Sequence, residues 1–355
     1  MRIVTTSTAY PPHYFTQRQI ADELAGYWQG SVDPQVIERL HSRTGVDGRY
    51  FSRPLADYRL LDTWGKANNV WIETALNLGE RSIASLIRQS AIDGAPLDRN
   101  RIGAIFFVSV TGVASPSIDA RLVNRLRLSP HIRRNPLFGL GCVAGAAGLA
   151  RAADYVKAYP DQYAVLLAVE LCSLTWQRGD LSVANLISTG LFGDGAAAVL
   201  IAGDQTPHAR STPRILDHTQ VFYPDTEYVM GWSISERGFQ ILLSPDVPSV
   251  VRENLGRDVD RFLASHHLTR ADIGCWLMHN GGPKVLEATE DALGLSRGAL
   301  AVSWQALRRV GNLSSASVLV VLDDVIRQHR PAPGTKSILA AMGPGFCCEM
   351  LLIEW

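Results

Sequence analysis

The sequence predicts an α/β protein built in layers, on three observations. Segments with helical periodicity alternate with short apolar runs along the whole chain. Two of those runs, Ile102 to Val110 and Tyr163 to Val169, are nearly continuous, as strands covered on both faces are. With 355 residues the chain has the length of about two domains, or of one large duplicated one.

Taken in order, Arg2 to Thr6 reads as a first strand. Thr16-x-x-Gln19 is a capping box that opens a helix over Gln17 to Leu24. Asp33-Pro34 starts a second helix that ends before Gly45, with an acidic cap, a proline in the first turn and a terminal glycine in agreement. A long helix covers Asn69 to Ser90, and Ser115-Pro116 begins another that runs through Leu126. A short helix at Ser182 to Ser188 and a strand at Ala196 to Ile201 follow. Residues 203–213 are polar, contain two prolines and form the best boundary in the chain. Beyond it, β segments are expected at Ile215 to Tyr223, Tyr228 to Ser235 and Phe239 to Leu243, then a helix at Val247 to Ser265. A strand at Ile273 to Met278 leads to helices at Lys284 to Leu293 and Val302 to Arg309. A last helix contains Val318 to Leu322, and strands at Ser337 to Ala341 and Cys347 to Ile353 close the chain.

Composition narrows the function. Thirty-four basic and 34 acidic side chains balance, and no basic block stands out, which argues against nucleic acid or an anionic membrane as the main partner. Five cysteines without regular spacing do not make a disulfide framework, so a reducing cytoplasm fits best. Met1 to Tyr10 lacks the basic start and apolar core of a signal peptide, and no apolar run approaches the ~20 residues of a membrane span.

The stretch around which the chain is organised runs from Leu137 to Leu149: a short apolar segment, Gly139-x-Gly141, Cys142, then a run of small residues. It reads as strand, tight turn and a helix whose first turn carries Cys142. Unpaired backbone N–H groups and the positive end of the helix dipole favour a thiolate there. A buried structural cysteine fits the same residues. So does a loose dinucleotide fingerprint, which Gly193-x-Gly195-x-x-Ala198 matches equally well. A nucleophile would need a histidine, and His279 is the best placed of nine, leaving a buried strand into Asn280-Gly281-Gly282-Pro283. Asn312 follows Gly311 at a helix start, where an ordinary N-cap is the alternative. Cys, His and Asn together also serve papain-like proteases, but the apolar, glycine-rich loops here suit a narrow acyl tunnel better than a peptide cleft. Arg39 and Arg43 share one face of the second helix, which a merely solvated face would also explain.

Five motifs in order then mark a resemblance: Gly141-Cys142-x-Ala144-Gly145, Leu191-Phe192-Gly193-Asp194-Gly195-Ala196-Ala197, His279-x-Gly281-Gly282-Pro283, Gly311-Asn312-x-Ser314-Ser315 and Gly343-Pro344-Gly345. Together they cover nearly the whole chain, which resembles the type III polyketide synthases, the chalcone and stilbene synthase family of the thiolase-fold condensing enzymes. Within that family, residues 107–112 and 279–287 are most similar to bacterial alkylpyrone and alkylresorcinol synthases.

The resemblance implies a thiolase-like duplicated βαβαβαββ fold in α-β-α-β-α layers, with residues 1–205 carrying the nucleophile and residues 206–355 carrying His and Asn. Cys142 would take a starter, expected to be fatty acyl, from coenzyme A as a thioester, and His279 would pair with its thiolate. His279 and Asn312 would stabilise the enolate formed as malonyl-CoA loses CO2. Phe192 and Phe239 would wall the junction between tunnel and cavity. Arg39 and Arg43 would meet the coenzyme A phosphates. Cys172 and Thr175 would line the acyl pocket, with an alkyl tail running beside Cys172, and Val110 and Ser314 would also bind substrate. A homodimer is implied, with acyl-CoA and malonyl-CoA as substrates and no metal or bound organic cofactor. Ala341-Met342, Asn280 and Ser115 depart from the plant members, which have Gly-Phe, proline and methionine there. Two other readings stay open. A ketoacyl synthase of the initiating type, acting on acyl carrier protein, is disfavoured by the phenylalanine pair, the Gly-Pro-Gly loop and the lack of a basic docking patch. A non-catalytic acyl-binding module is disfavoured by the intact triad.

Overall fold

A computed structural model describes residues 1–92, 96–210, 213–296 and 298–355. Of the expected boundary over 203–213, Ser211 and Thr212 lie outside the described residues. The strands are β1 (Arg2–Ala9), β2 (His13–Thr16), β3 (Gly48–Phe51), β4 (Ile102–Val108), β5 (Arg133–Leu137), β6 (Tyr163–Leu171), β7 (Asp194–Ala202), β8 (Arg214–Phe222), β9 (Met230–Ser235), β10 (Gly238–Leu243), β11 (Ile273–Met278), β12 (Lys336–Gly343) and β13 (Cys347–Glu354). The helices are α1 (Gln17–Tyr27), α2 (Pro34–His41), α3 (Trp64–Gln89), α4 (Ile118–Leu126), α5 (Ala144–Ala158), α6 (Val183–Leu191), α7 (Val247–Ala264), α8 (Pro283–Leu293), α9 (Ala301–Val310) and α10 (Ser317–Gln328).

Nine strands form one sheet in the order β11-β12-β13-β8-β1-β7-β6-β4-β5. Read outward from its middle, four strands on one side repeat four on the other, and β5 extends the first side. β1 is antiparallel to β7, β7 to β6, and β6 is parallel to β4. In the second half β8 is antiparallel to β13, β13 to β12, and β12 is parallel to β11. This is the duplication that the resemblance implied. β1 and β8 meet through Arg2 and Arg214.

Alternation along the strands sorts side chains into layers. On β6, Tyr163, Val165, Leu167 and Val169 join the core beneath α3, while Ala164, Leu166 and Ala168 join a second core around α5 and α10. On β12, Leu339 and Ala341 enter the same central core, whereas Ile338 and Ala340 face the third, beneath α7 and α8. Strands buried on both faces therefore enclose a central pair of helices, and the apolar runs in the sequence reflect this.

Local signals hold as well. Thr16 and Gln19 form the capping box of α1, and Asp33 caps α2 through the Gln35 N–H. The sequence did not announce β2 and β3, whose pairing is confined to a two-stranded ribbon.

Candidate active site

The two halves bring their equivalent turns together. Gly141–Val143 forms a 3₁₀ turn that runs into α5, and Ser314–Ala316 forms one that runs into α10. Gly141 and Ser314 both have positive φ, 54° and 48°. A Cβ on Gly145 would lie 2.1 Å from the Ser315 carbonyl oxygen, so only glycine lets α5 approach this closely. The Cys142 thiol donates to Ser314 Oγ at 3.6 Å across that contact.

Burial outweighs the helix end for this thiol. It pushes Cys142 up to about 12, with the Ser314 hydroxyl opposing and buried Glu170 reinforcing. The expectation that the helix terminus alone would favour a thiolate is corrected accordingly: a closed, apolar site raises the cost of the anion more than the terminal N–H groups lower it. Burial also brings His279 down to about 4. Each group is neutral by itself, and a proton passed from thiol to imidazole creates two opposite charges that stabilise each other in a low dielectric.

His279 stands at the end of β11, its N–H bound to the Ala340 carbonyl at 3.0 Å. Its Nδ1 is buried without a hydrogen-bond partner. Asn312 is more fully specified. Its Oδ1 accepts from the Ser314 N–H at 2.7 Å and the Ser317 hydroxyl at 3.2 Å, which fixes the orientation of the amide. Its Nδ2 donates to the Gly281 carbonyl at 3.1 Å. An amide nitrogen carries two hydrogens, so one remains for a ligand. Asn312 thus caps the turn with its oxygen and offers a donor with its nitrogen, which joins both sequence readings.

Two cavities meet at the triad. The larger, about 560 Å³, is lined by His279 and Asn312, by exposed Arg43 and Lys284, and by buried Val251, Leu255 and Phe346. The smaller, about 40 Å³, is lined by Cys142, Val110, Cys172 and Ser314, with Trp232 and Ile241. Phe192, Met230 and Leu243 border both, so Phe192 stands at the junction. Buried Arg49 fixes it there, donating to the Phe192 and Thr189 carbonyls at 2.8 Å each. A backbone bridge pairs Phe192 with Asn312. Glu170 braces the smaller cavity from behind, accepting from the Val110 N–H at 3.1 Å, from Thr111 Oγ1 at 2.9 Å, and from Ser315. Burial raises this carboxyl to about 7.

Three expected positions are placed differently. Phe239 lines neither cavity and instead packs on Trp64, Phe138 and Trp232. Ile241, two residues along the same strand and hence on the same face, lines the cavity. Thr175 also lines neither cavity, its hydroxyl bound to the Cys172 carbonyl at 2.8 Å. Arg39 is exposed outside the cavity, whereas Arg43 reaches its lining. Lys284 and Arg49 were missed. Lys284 could have been suspected from its place directly after Pro283 at the start of α8, but nothing in the sequence sets Arg49 apart.

Such a site, a buried thiol in one apolar cavity and an imidazole and an amide donor in the adjoining one, defines a thiolase-type condensing enzyme. The chain belongs to the chalcone and stilbene synthases, matching the family's N-terminal domain over residues 56–205 and its C-terminal domain over residues 214–354. It is 46% identical to a 1,3,6,8-tetrahydroxynaphthalene synthase of Streptomyces peucetius subsp. caesius, over 99% of this chain and 93% of that one. A putative chalcone synthase of Bacillus subtilis (strain 168) is 36% identical over 99% and 98% of the two chains. The crystal structure of the Streptomyces coelicolor A3(2) 1,3,6,8-tetrahydroxynaphthalene synthase, a bacterial type III polyketide synthase, superposes with a TM-score of 0.90 at 29% identity, over 100% and 99% of the two chains. The protein is accordingly an acyltransferase of the type III polyketide synthase class.

Among the described residues, no group of three or more His, Cys, Asp or Glu is placed to hold a metal ion. No described helix is long and apolar enough to cross a membrane.

Proposed function

We propose that the enzyme loads a fatty acyl group from coenzyme A on Cys142 and extends it with malonyl-CoA-type units. Cyclisation then yields an alkylpyrone or alkylresorcinol-type product. Cys142 attacks the starter thioester as His279 takes its proton, and the coenzyme A thiol leaves with a proton returned from the imidazole. Malonyl-CoA then loses CO2 while His279 and the free Asn312 N–H hold the thioester oxygen of the enolate. The enolate carbon attacks the Cys142 thioester, forming a carbon–carbon bond and expelling the Cys142 sulfur. Exposed Arg43 and Lys284 on the lining of the larger cavity suit the phosphates of coenzyme A. We read residues 1–205 and 206–355 as the two halves of a cytoplasmic homodimer's subunit, with Cys142 in the first and His279 and Asn312 in the second.

The observation that carries the fatty acyl reading is the larger cavity. Its lining includes the apolar Val251, Leu255, Met278 and Phe346, with room for many carbons. The smaller cavity, about 40 Å³, has room for a few water-sized groups at most. A tail beside Cys172 therefore has little space, and the tail is assigned to the larger cavity.

A second reading draws on that same small cavity and on the 46% identical relative, whose name is that of a tetrahydroxynaphthalene synthase. In it the starter is short, such as malonyl, and the product aromatic. Mass spectrometry of products from malonyl-CoA alone and with hexanoyl-, decanoyl- or dodecanoyl-CoA separates the two. Alkyl-bearing products from the longer starters support the first reading. A single product from malonyl-CoA alone, unchanged by any added starter, supports the second.

A further inference from the structure

Two hydrogen bonds that mirror each other join the loop after His279 to the turn that carries Asn312. Asn280 Nδ2 donates to the Gly311 carbonyl at 3.1 Å, and Asn312 Nδ2 donates to the Gly281 carbonyl at 3.1 Å. Each carboxamide holds the backbone beside the other: Gly311 precedes Asn312, and Gly281 follows Asn280. Both asparagines are buried, at 1% and 2% exposure. Among the described residues these are the hydrogen bonds that connect residues 279–283 with residues 311–315. The other backbone anchors go to separate elements, His279 N–H to Ala340 on β12 and Asn312 N–H to Leu191 at the end of α6.

We propose that Asn280 is a positioning residue that sets the separation of His279 and Asn312, so that both donors meet one enolate oxygen. It lines neither cavity and acts through the Gly311–Asn312 backbone. Two donors serve one oxyanion only when each lies about 2.7–3.1 Å from it, and a misplacement of about 1 Å can cost roughly 100-fold in rate. Asn280 Oδ1 is buried with no partner, a cost to stability that an apolar residue would avoid. A proline, which the resemblance places here in plant relatives, has no side-chain donor for the Gly311 carbonyl.

The inference rests on the decarboxylating role given above to His279 and Asn312. Its test is a double-mutant cycle on malonyl-CoA decarboxylation with Asn280→Leu, Asn312→Ala and the double variant, and with Asn280→Ala as a second probe of the site. The rate at which iodoacetamide alkylates Cys142, which unfolding would raise by exposing a thiol buried in the folded protein, reports that the site is folded. Asn280→Leu is expected to lower kcat about 10-fold or more, to leave KM for malonyl-CoA within about twofold, and to leave alkylation at the wild-type rate. The double variant is expected to be no slower than Asn312→Ala, because Asn280 acts through Asn312. Additive losses would overturn the proposal, as would an unchanged kcat. Faster alkylation in both Asn280 variants would make the residue a determinant of folding and overturn it too. A wild-type enzyme that does not decarboxylate malonyl-CoA would instead refute the reading on which the proposal stands.

Discussion

Replacing Asn312 by alanine separates the two half-reactions that the site is built to run. The amide has three recorded bonds: its oxygen accepts from the Ser314 N–H and the Ser317 hydroxyl, and its nitrogen donates to the Gly281 carbonyl. The remaining N–H is the donor assigned to the enolate. Removing one such donor costs about 10²–10³-fold in kcat, or roughly 3–4 kcal/mol of transition-state stabilisation. The variant also leaves the Ser314 N–H without its acceptor, a stability loss of about 1–3 kcal/mol. Starter loading depends on Cys142 and His279 and is expected to change far less. The assay follows acetyl-CoA formed from malonyl-CoA by chromatography, alongside loading of an acyl-CoA by intact-protein mass, at a temperature where both proteins are folded. Equal losses in both half-reactions would refute the division of roles, and undiminished decarboxylation would remove Asn312 from the chemistry.

Other substitutions extend the test. Cys142→Ala should abolish loading and all polyketide while decarboxylation of malonyl-CoA persists, since His279 and Asn312 remain; normal product yield, read by mass spectrometry, would exclude Cys142. Val251→Phe should lower kcat/KM for dodecanoyl-CoA while sparing hexanoyl-CoA, because the ring fills the larger cavity at a cost of about 1–3 kcal/mol to a chain forced past it. Cys172→Phe, in the cavity of about 40 Å³ with Cys142, should impair every starter; a selective loss of the long one would return the tail to that side. His279 is held neutral at a pKa of about 4 in the folded protein, against 6.5 as a free side chain. The unfolded chain therefore binds the extra proton between those values, so the stabilisation is complete above 6.5 and lost as pH falls through 4. Denaturant midpoints of wild type and His279→Ala should show the wild type losing stability relative to the variant across that window, and parallel curves would contradict it.

The strands were legible because those buried on both faces have almost no polar residues to interrupt them, as β6 and β7 show. The ribbon strands β2 and β3 were not, since neither is a long apolar run. The triad could be read because Cys142, His279 and Asn312 sit in glycine-rich turns, where local sequence determines the backbone. Two kinds of fact escaped. One is which of several same-face residues borders a space: Phe239 and Ile241 alternate equally well, and only the packing of Phe239 on Trp64 and Trp232 leaves Ile241 at the cavity. The other is electrostatic context. A cysteine at a helix start suggests a lowered pKa, but burial depends on residues as remote as Pro344 and Trp232, and it reverses the sign. Arg49 belongs with these, a charge whose role depends on carbonyls more than a hundred residues away.

The central claim is that the buried Cys142 thiol, with His279 as its proton acceptor, carries the acyl chain. Its most direct test is intact-protein mass spectrometry with peptide mapping after a single turnover with decanoyl-CoA, for the wild type and His279→Ala. One decanoyl group on the peptide containing Cys142, formed in the wild type and at least about 100-fold more slowly in the variant, is the predicted result. Acyl transfer to another residue, or equal labelling of the two proteins, would contradict it.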